Sequence, residues 1–224
     1  MNHSEKINKT TCAVIPFYNE EENLSKIISS VAKYVDLIIA VNDGSTDKST
    51  EKIIPTDKLI LINHKTNLGK GKALKTGFLK SIELKTEITL TLDADLQHAP
   101  EYIPKFISEL KTYDAIIGNR LHNKKGMPAH RRLSNFLTSK LLGIKTGQKI
   151  LDSQSGYRAF RTEILKDILP EYQGFEAESE MIVKLLKNNY KLGFVNIPTI
   201  YGNEKSKMRG WQTIKGFVKV LLNQ

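Results

Sequence analysis

Cysteine is nearly absent from this 224-residue chain. Cys12 stands alone, which excludes an internal disulfide and any thiolate metal cluster and fits a reducing compartment. No apolar run approaches the ~20 residues of a membrane-spanning helix, so a soluble protein, or one held only at a membrane surface, is expected. The opening MNHSEKINKTT lacks the apolar core of an export signal, and a cytoplasmic setting is expected. Fourteen glycines and seven prolines are too few for a low-complexity or collagen-like chain. Aromatic residues make up 8%, with no stacking platform or nucleic-acid-binding motif, so no nucleic-acid partner is expected. Acidic residues are missing locally. Residues 116–151 hold eight Lys or Arg and no acid, and residues 182–224 hold eight more against Glu204 alone. The net charge of +10 is therefore confined to two segments. Such segments suit an anionic partner such as phosphate or acidic lipid headgroups, although a solvated basic surface has the same composition.

What is present is an ordinary globular balance of 40% apolar and 26% charged residues. No repeat or linker divides the chain, and a single domain over 1–224 is expected. Apolar, β-rich runs at 12–17, 36–41, 58–62, 87–92 and 114–117 alternate with helical patterns at 20–33, 71–84 and 100–110. Asn19 is a plausible N-cap for the first helix. This alternation indicates an α/β fold with a mainly parallel central sheet flanked by helices, which binds ligands at the carboxyl ends of its strands. Residues 131–141 predict an amphipathic helix with Leu133, Phe136, Leu137 and Leu141 on one stripe, and residues 211–222 predict another. Both stripes are expected to face the core, with an interfacial helix on a bilayer as the alternative.

The sharpest local signal is Leu92-Asp93-Ala94-Asp95-Leu96-Gln97, which follows the strand ITLTL. Two carboxylates two residues apart at a strand end can share a hard divalent cation, Mg²⁺ or Mn²⁺, with a diphosphate, and Gln97 adds a neutral oxygen. Taken alone, an acidic pair is more often a turn. The segments Pro16-Phe17-Tyr18-Asn19-Glu20 and Val41-Asn42-Asp43-Gly44-Ser45-Thr46-Asp47 also end strands, where Glu20 or Asp43 can accept hydrogen bonds from ribose or base, or simply cap turns. His98 adjoins the acidic motif but is a poor ligand for a hard cation. Gly69-Lys70-Gly71 resembles a phosphate loop only superficially, since the P-loop pattern is absent.

AVIPFYNEEENL, VNDGSTDKS, NLGKGKALKTGF, TLDADLQHAPEYIP and DSQSGYRAF occur in one order and together resemble glycosyltransferase family 2, the inverting nucleotide-sugar transferases with the GT-A fold. Gly118-Asn119-Arg120, the 175–181 stretch FEAESEM and Tyr201-Gly202 before Lys205-Ser206-Lys207 make the chain most similar to dolichyl- or polyprenyl-phosphate mannosyl- and glucosyltransferases. The resemblance divides the chain into a nucleotide-sugar half (11–119), an acceptor half (120–210) and a C-terminal amphipathic helix (211–224). It implies nucleoside contacts from Pro16, Tyr18, Glu20, Val41 and Asp43, and donor contacts from Asp93, Ala94 and Asp95. It implies metal ligation by Asp93, Asp95 and Gln97, and diphosphate contacts from Arg120 and Lys207. Asp95, Arg120 and Lys207 are the implied catalytic group.

Two departures stand out. Glu204 or Lys205 occupies a position where the family often has Arg. The 175–178 stretch FEAE lacks the Glu-Asp pair that holds the base in members acting on sugar hydroxyls. A sugar hydroxyl must lose a proton to attack, whereas a lipid phosphate is already anionic and needs cations to position it. Arg131 and Arg132 are candidates for that task, and Glu178 for a substrate contact. A lipid-phosphate acceptor at a membrane surface, met peripherally or through a membrane partner, is therefore expected. The alternatives are a family-2 enzyme extending a glycan with Glu176 or Glu178 as base, and a nucleotidyltransferase.

Overall fold

A computed structural model of the protein describes residues 10–122, 127, 129–198 and 200. The first strand, β1 (Thr11–Phe17), is buried along its whole length. Its residues alternate between two cores, as a strand covered on both faces requires. Cys12 and Val14 enter one core, and Ala13, Ile15 and Phe17 the other. Helix α1 (Leu24–Val31) covers the second face with Leu24, Ile27, Ile28 and Val31, one apolar stripe at helical spacing. The chain then runs through β2 (Leu37–Asn42), β3 (Leu59–Asn63), helix α2 (Lys70–Glu83) and β4 (Ile88–Thr91). A 3-10 turn at Pro100–Tyr102 leads into α3 (Ile103–Glu109), followed by β5 (Ala115–Asn119) and α4 (Ala129–Thr146). Strand β6 (Arg158–Arg161), α5 (Leu165–Ile168), α6 (Glu176–Lys187) and β7 (Leu192–Asn196) complete the described elements.

The seven strands lie in the order β3-β2-β1-β4-β6-β5-β7. Strand β6 pairs antiparallel with β4 and β5, and the other pairings are parallel. From β1 the chain builds outward through β2 and β3, then returns to place β4 on the other side of β1. The β1–β4 boundary is thus a switch point, where the loops leaving the two strands diverge and open a crevice. Helix α2 closes the opposite face. Its inward side buries Leu74 and Phe78, and Gly71, Ala73, Gly77 and Ser81 between them are small enough for close approach to β1. Ser81, Thr86, Thr89 and Thr162 join their hydroxyls beneath β4 and β6, which satisfies polar groups inside the sheet.

The boundaries of the five expected strands agree with the sequence pattern to within two residues at each end. Two helices differ from expectation, and β6, α5, α6 and β7 were not foreseen. The first helix begins at Leu24 rather than residue 20. Asn19 is not its cap: it sits at φ +52°, and its side chain accepts the Thr46 N–H at 2.8 Å. Helix α4 is longer than expected, and its stripe faces outward. Leu133, Phe136, Leu137 and Leu141 are exposed, whereas Asn135, Ser139 and Leu142 are buried. The reason is polar: Asn135 donates to Asp152 at 2.7 Å, and Ser139 joins Ser153 at 3.1 Å. Leaving those buried groups unpaired costs more than exposing leucine. Strand β6 carries no clean apolar alternation, whereas α6 buries a stripe of Ala177, Met181, Ile182, Leu185 and Leu186 at helical spacing that the sequence reading passed over. The expected helix at 211–222 lies outside the described residues. Among the described residues no helix is long and apolar enough to cross a membrane.

A Cβ at Gly77 would lie 2.3 Å from Val14 Cγ1. Gly77→Ala is expected to lower stability by about 1–3 kcal/mol through overpacking of α2 on β1, measured by urea unfolding. Unchanged stability would mean that this contact is loose.

Candidate active site

The loops after β1 and β2 are laced together. Asn19 N–H donates to Ser45 Oγ at 3.0 Å, Glu20 N–H to Ser49 Oγ at 2.7 Å and Glu21 N–H to Asp47 Oδ2 at 3.2 Å. Most polar groups of the DGSTD turn thus shape the crevice wall. Asp43 is buried, and both its oxygens accept backbone bonds, from Leu68 at 3.0 Å and Gly69 at 2.8 Å. His64 Nδ1 lies 2.9 Å from the same carboxylate, and its Nε2 lies 3.0 Å from Thr76 Oγ1. Asp43 therefore pins the loop that starts α2.

That loop delivers Lys70. Gly69 sits at φ +97°, and the Gly71 N–H donates to Gln173 carbonyl oxygen at 2.6 Å. The two glycines let the 172–174 stretch cross directly over the start of α2 and bring α6 beside it. A Cβ at Gly69 would lie 2.4 Å from that same carbonyl oxygen. Lys70 is then enclosed by carboxylates, with Nζ at 2.6 Å from Asp93 Oδ1 and 3.0 Å from Glu178 Oε1. The ammonium also lies 5.6 Å from the centroid of the Phe175 ring. A cation in the first turn opposes the helix dipole, so the two acids set this arrangement.

Asp93 follows β4 and Leu92, backed by Gly156, where a Cβ would lie 2.3 Å from Asp93 Oδ2. Burial alone would raise the Asp93 pKa, but Lys70, His98 and Arg120 hold it down at about 2. Burial would likewise lower the Lys70 pKa, and Asp93 with Glu178 keeps it above its ordinary value. Asp95 Oδ1 accepts the Gln97 N–H at 3.1 Å across Leu96, which adopts φ +60°. A left-handed leucine is strained, and such strain concentrates at functional sites. His98 is buried against Tyr157, with ring centroids 5.3 Å apart. Burial first, then Arg120 and Lys70, lowers its pKa to about 4 against the pull of Asp93, so the ring is neutral at pH 7.

Arg120 leaves β5 and is gripped by fully buried Asp152, with Nε at 2.9 Å from Oδ2 and an Nη at 3.0 Å from Oδ1. Asn135 from α4 donates to the same carboxylate. Arg158 is buried in β6 and donates to the carbonyls of Ser153, Ser155 and Glu178, fastening the 152–156 loop to α6. The bidentate grip fixes the Arg120 guanidinium beside the acidic motif.

The structure brings Asp93 and Glu178 together on Lys70 and sets Arg120 within electrostatic reach of Asp93, while Ala94, Asp95 and Gln97 follow Asp93 in the same loop. Pro16 and Val41 are register partners near the carboxyl ends of β1 and β2, and Tyr18, Glu20 and Asp43 follow in the loops that leave these strands. Arg131 and Arg132 open α4. Arg131 is half-buried on the face of Asn135, and Arg132 is exposed on the face of Phe136. Lys207, with Lys205, lies outside the described residues. Lys70, Asp152, Gly156 and Arg158 were not singled out as site residues, although NLGKG and DSQSGYR carried them.

Among the described residues no group of three or more His, Cys, Asp or Glu gathers to hold a metal ion. Asp93 and Asp95 nevertheless suit Mg²⁺ or Mn²⁺, which are commonly held by one or two carboxylates with substrate phosphates.

The family profile of Glycosyl transferase family 2 matches residues 12–169. The chain belongs to this family, and it is a glycosyltransferase with the GT-A fold. It is 34% identical over 229 residues to UDP-N-acetylglucosamine–dolichyl-phosphate N-acetylglucosaminyltransferase of Methanococcus voltae, covering 91% of this chain and 90% of that protein. It is 32% identical over 181 residues to undecaprenyl-phosphate 4-deoxy-4-formamido-L-arabinose transferase of Yersinia enterocolitica, covering 75% of this chain and 54% of that protein. Its relatives thus include transferases of sugars to polyprenyl phosphates. Glucosyl-3-phosphoglycerate synthase from Mycobacterium tuberculosis, crystallised with Mn²⁺, UDP and phosphoglyceric acid, superposes with a TM-score of 0.76 at 20% identity, over 96% of this chain and 79% of that one.

Two predictions follow from the buried charges. His98 remains neutral in the fold down to a pKa of about 4, whereas in the unfolded chain it titrates near its ordinary value. The unfolded state therefore binds the proton first, and stability falls by about 1.4 kcal/mol per pH unit as pH drops through that window. Above the ordinary histidine pKa this group contributes no slope. Urea unfolding from pH 7 to pH 4 is expected to show the decline, and His98→Gln to flatten it; the same slope in both proteins would refute the assignment. Gly156→Ala is expected to displace the Asp93 carboxylate and reduce sugar transfer about 10²-fold at unchanged secondary structure. Transfer at the wild-type rate would contradict this packing.

Proposed function

We propose that the protein moves a hexose from a nucleoside-diphosphate sugar to a polyprenyl or dolichyl phosphate, with inversion at the anomeric carbon. The observation that carries this reading is the Lys70–Glu178 pair. The carboxylate that would serve as base for a sugar hydroxyl already has its charge matched by an ammonium 3.0 Å away. Glu176 shares the first turn of α6 with Glu178. An anionic phosphate oxygen needs no base. It attacks the anomeric carbon, the bond from that carbon to the diphosphate oxygen breaks, and the nucleoside diphosphate leaves with the electron pair.

The chain's own residues manage charge. Asp93 and Asp95, with Gln97 as a neutral third ligand, would hold Mg²⁺ or Mn²⁺, which when bound neutralises the leaving diphosphate. Lys70 keeps Asp93 ionised and in place. Arg120, held by Asp152, presents a fixed cation to the donor phosphates, and Lys207 is assigned the same task. Arg131, with Arg132 behind it, offsets repulsion between the acceptor phosphate and the donor. Tyr18, Glu20 and the ends of β1 and β2 at Pro16 and Val41 receive the nucleoside, with Asp43 supporting that wall. UDP-glucose and GDP-mannose are the proposed donors, and the M. voltae relative's name adds UDP-N-acetylglucosamine. The setting is the cytoplasmic membrane face, reached peripherally or with a membrane partner. The second reading, a glycan hydroxyl as acceptor, requires Lys70 to leave Glu178.

The test assays the purified chain with Mn²⁺ or Mg²⁺ and these three nucleotide sugars, using polyprenyl phosphate or free sugars as acceptor. Transfer to the lipid phosphate alone is expected, falling about 10²-fold or more in Asp95→Asn. Transfer only to the free sugar would overturn the acceptor assignment, and an unimpaired Asp95→Asn would overturn the role of the acidic pair.

A further inference from the structure

Helix α4 places its polar side inward and its oily side outward. Leu133, Phe136, Leu137, Leu141 and Ile144 are 44% to 71% exposed, a continuous apolar face on an 18-residue helix. A soluble surface helix has the opposite arrangement, and contiguous apolar patches mark interaction sites. The surrounding charge is of one sign. Residues 129–151 carry five Lys or Arg and no acid, and Arg132, Lys140, Lys145 and Lys149 are exposed.

Beneath this face runs a groove of about 470 Å³ between α4 and the 147–151 loop, walled by Leu121, Phe136, Ile144 and Ile150. Gly143 makes room for the loop, because a Cβ there would lie 2.9 Å from the Gln148 carbonyl oxygen. Leu121 and Leu151 are chain neighbours of Arg120 and Asp152, so the groove's inner end adjoins that ion pair.

We propose that the outer face of α4 inserts into the surface of an anionic lipid bilayer, with its apolar stripe among the acyl chains and its lysines and Arg132 at the headgroups. The groove then gives an isoprenoid chain in that leaflet a dry route to Arg120; this second part rests on the lipid-phosphate reading above. Charge selects the bilayer over the other occupants. A second copy would set one acid-free basic face against another. The segment 211–222, which carries Lys215 and Lys219 and no acid, would do the same. Anionic headgroups complement the charge, and the leaflet accepts leucine and phenylalanine.

The test floats the full chain with vesicles of phosphatidylcholine alone or of equal parts phosphatidylcholine and phosphatidylglycerol. It compares wild type with Leu133→Glu/Leu137→Glu, two exposed positions outside the groove. Wild type is expected to float with the anionic vesicles only, and the variant to lose about tenfold or more of that binding at an unchanged melting temperature. Transfer to a short, water-soluble prenyl phosphate is expected to be equal in both, while transfer to a long polyprenyl phosphate in vesicles falls in the variant. Equal flotation of both proteins, or none by wild type, overturns the proposal. So does a wild-type dimer that the variant dissociates, which assigns the face to a second copy. Absence of prenyl-phosphate transfer by wild type rejects the acceptor reading instead and leaves the flotation result to stand alone.

Discussion

One ammonium organises this site. Lys70 sits where a helix dipole disfavours it and is held there by Asp93 and Glu178. Those three residues come from the start of α2, the end of β4 and the first turn of α6, so a single charge cluster joins segments far apart in the chain. Removing one member of this partly buried cluster leaves its partners uncompensated and destabilises the site. The glycines around it follow from the same constraint. Gly69 and Gly71 admit the 172–174 crossing, and Gly156 leaves room for the Asp93 carboxylate.

The sheet explains why that cluster faces a crevice. Placing β4 on the far side of β1 separates the loops that follow them, and the acidic motif emerges at the gap. Around it the protein uses carboxylates to hold backbone as much as to meet ligands. Asp43 secures the Lys70 loop, Asp47 the 20–21 turn and Asp152 the Arg120 fork. These neighbours fix the geometry in advance, the condition under which electrostatic stabilisation of the proposed leaving diphosphate is strongest.

The strand–helix alternation and the acidic pair after ITLTL were legible because each is local: an apolar run, its period and the residues that follow it. Lys70 was not, because its meaning depends on partners distant in sequence, and its flanking glycines read as a failed phosphate loop. Asp43 read either as a ligand contact or as a turn cap, and its oxygens accept the Leu68 and Gly69 N–H groups. Periodicity located α4 and gave the wrong face, since apolar spacing marks a stripe without saying what covers it. Asn135 and Ser139, the residues that settle the question, reveal their role only beside Asp152 and Ser153. Strand β6 escaped notice because its arginines look like surface residues, although Arg158 is buried on three carbonyls.

Lys70 is the charge on which the proposed acidic centre for sugar transfer depends. The most direct measurement is the transfer rate of Lys70→Met, which keeps the side chain's length and removes its charge, taken with its circular dichroism. A native spectrum and transfer reduced about 10²-fold are expected. A natively folded Lys70→Met protein that transfers sugar at the wild-type rate would contradict that dependence.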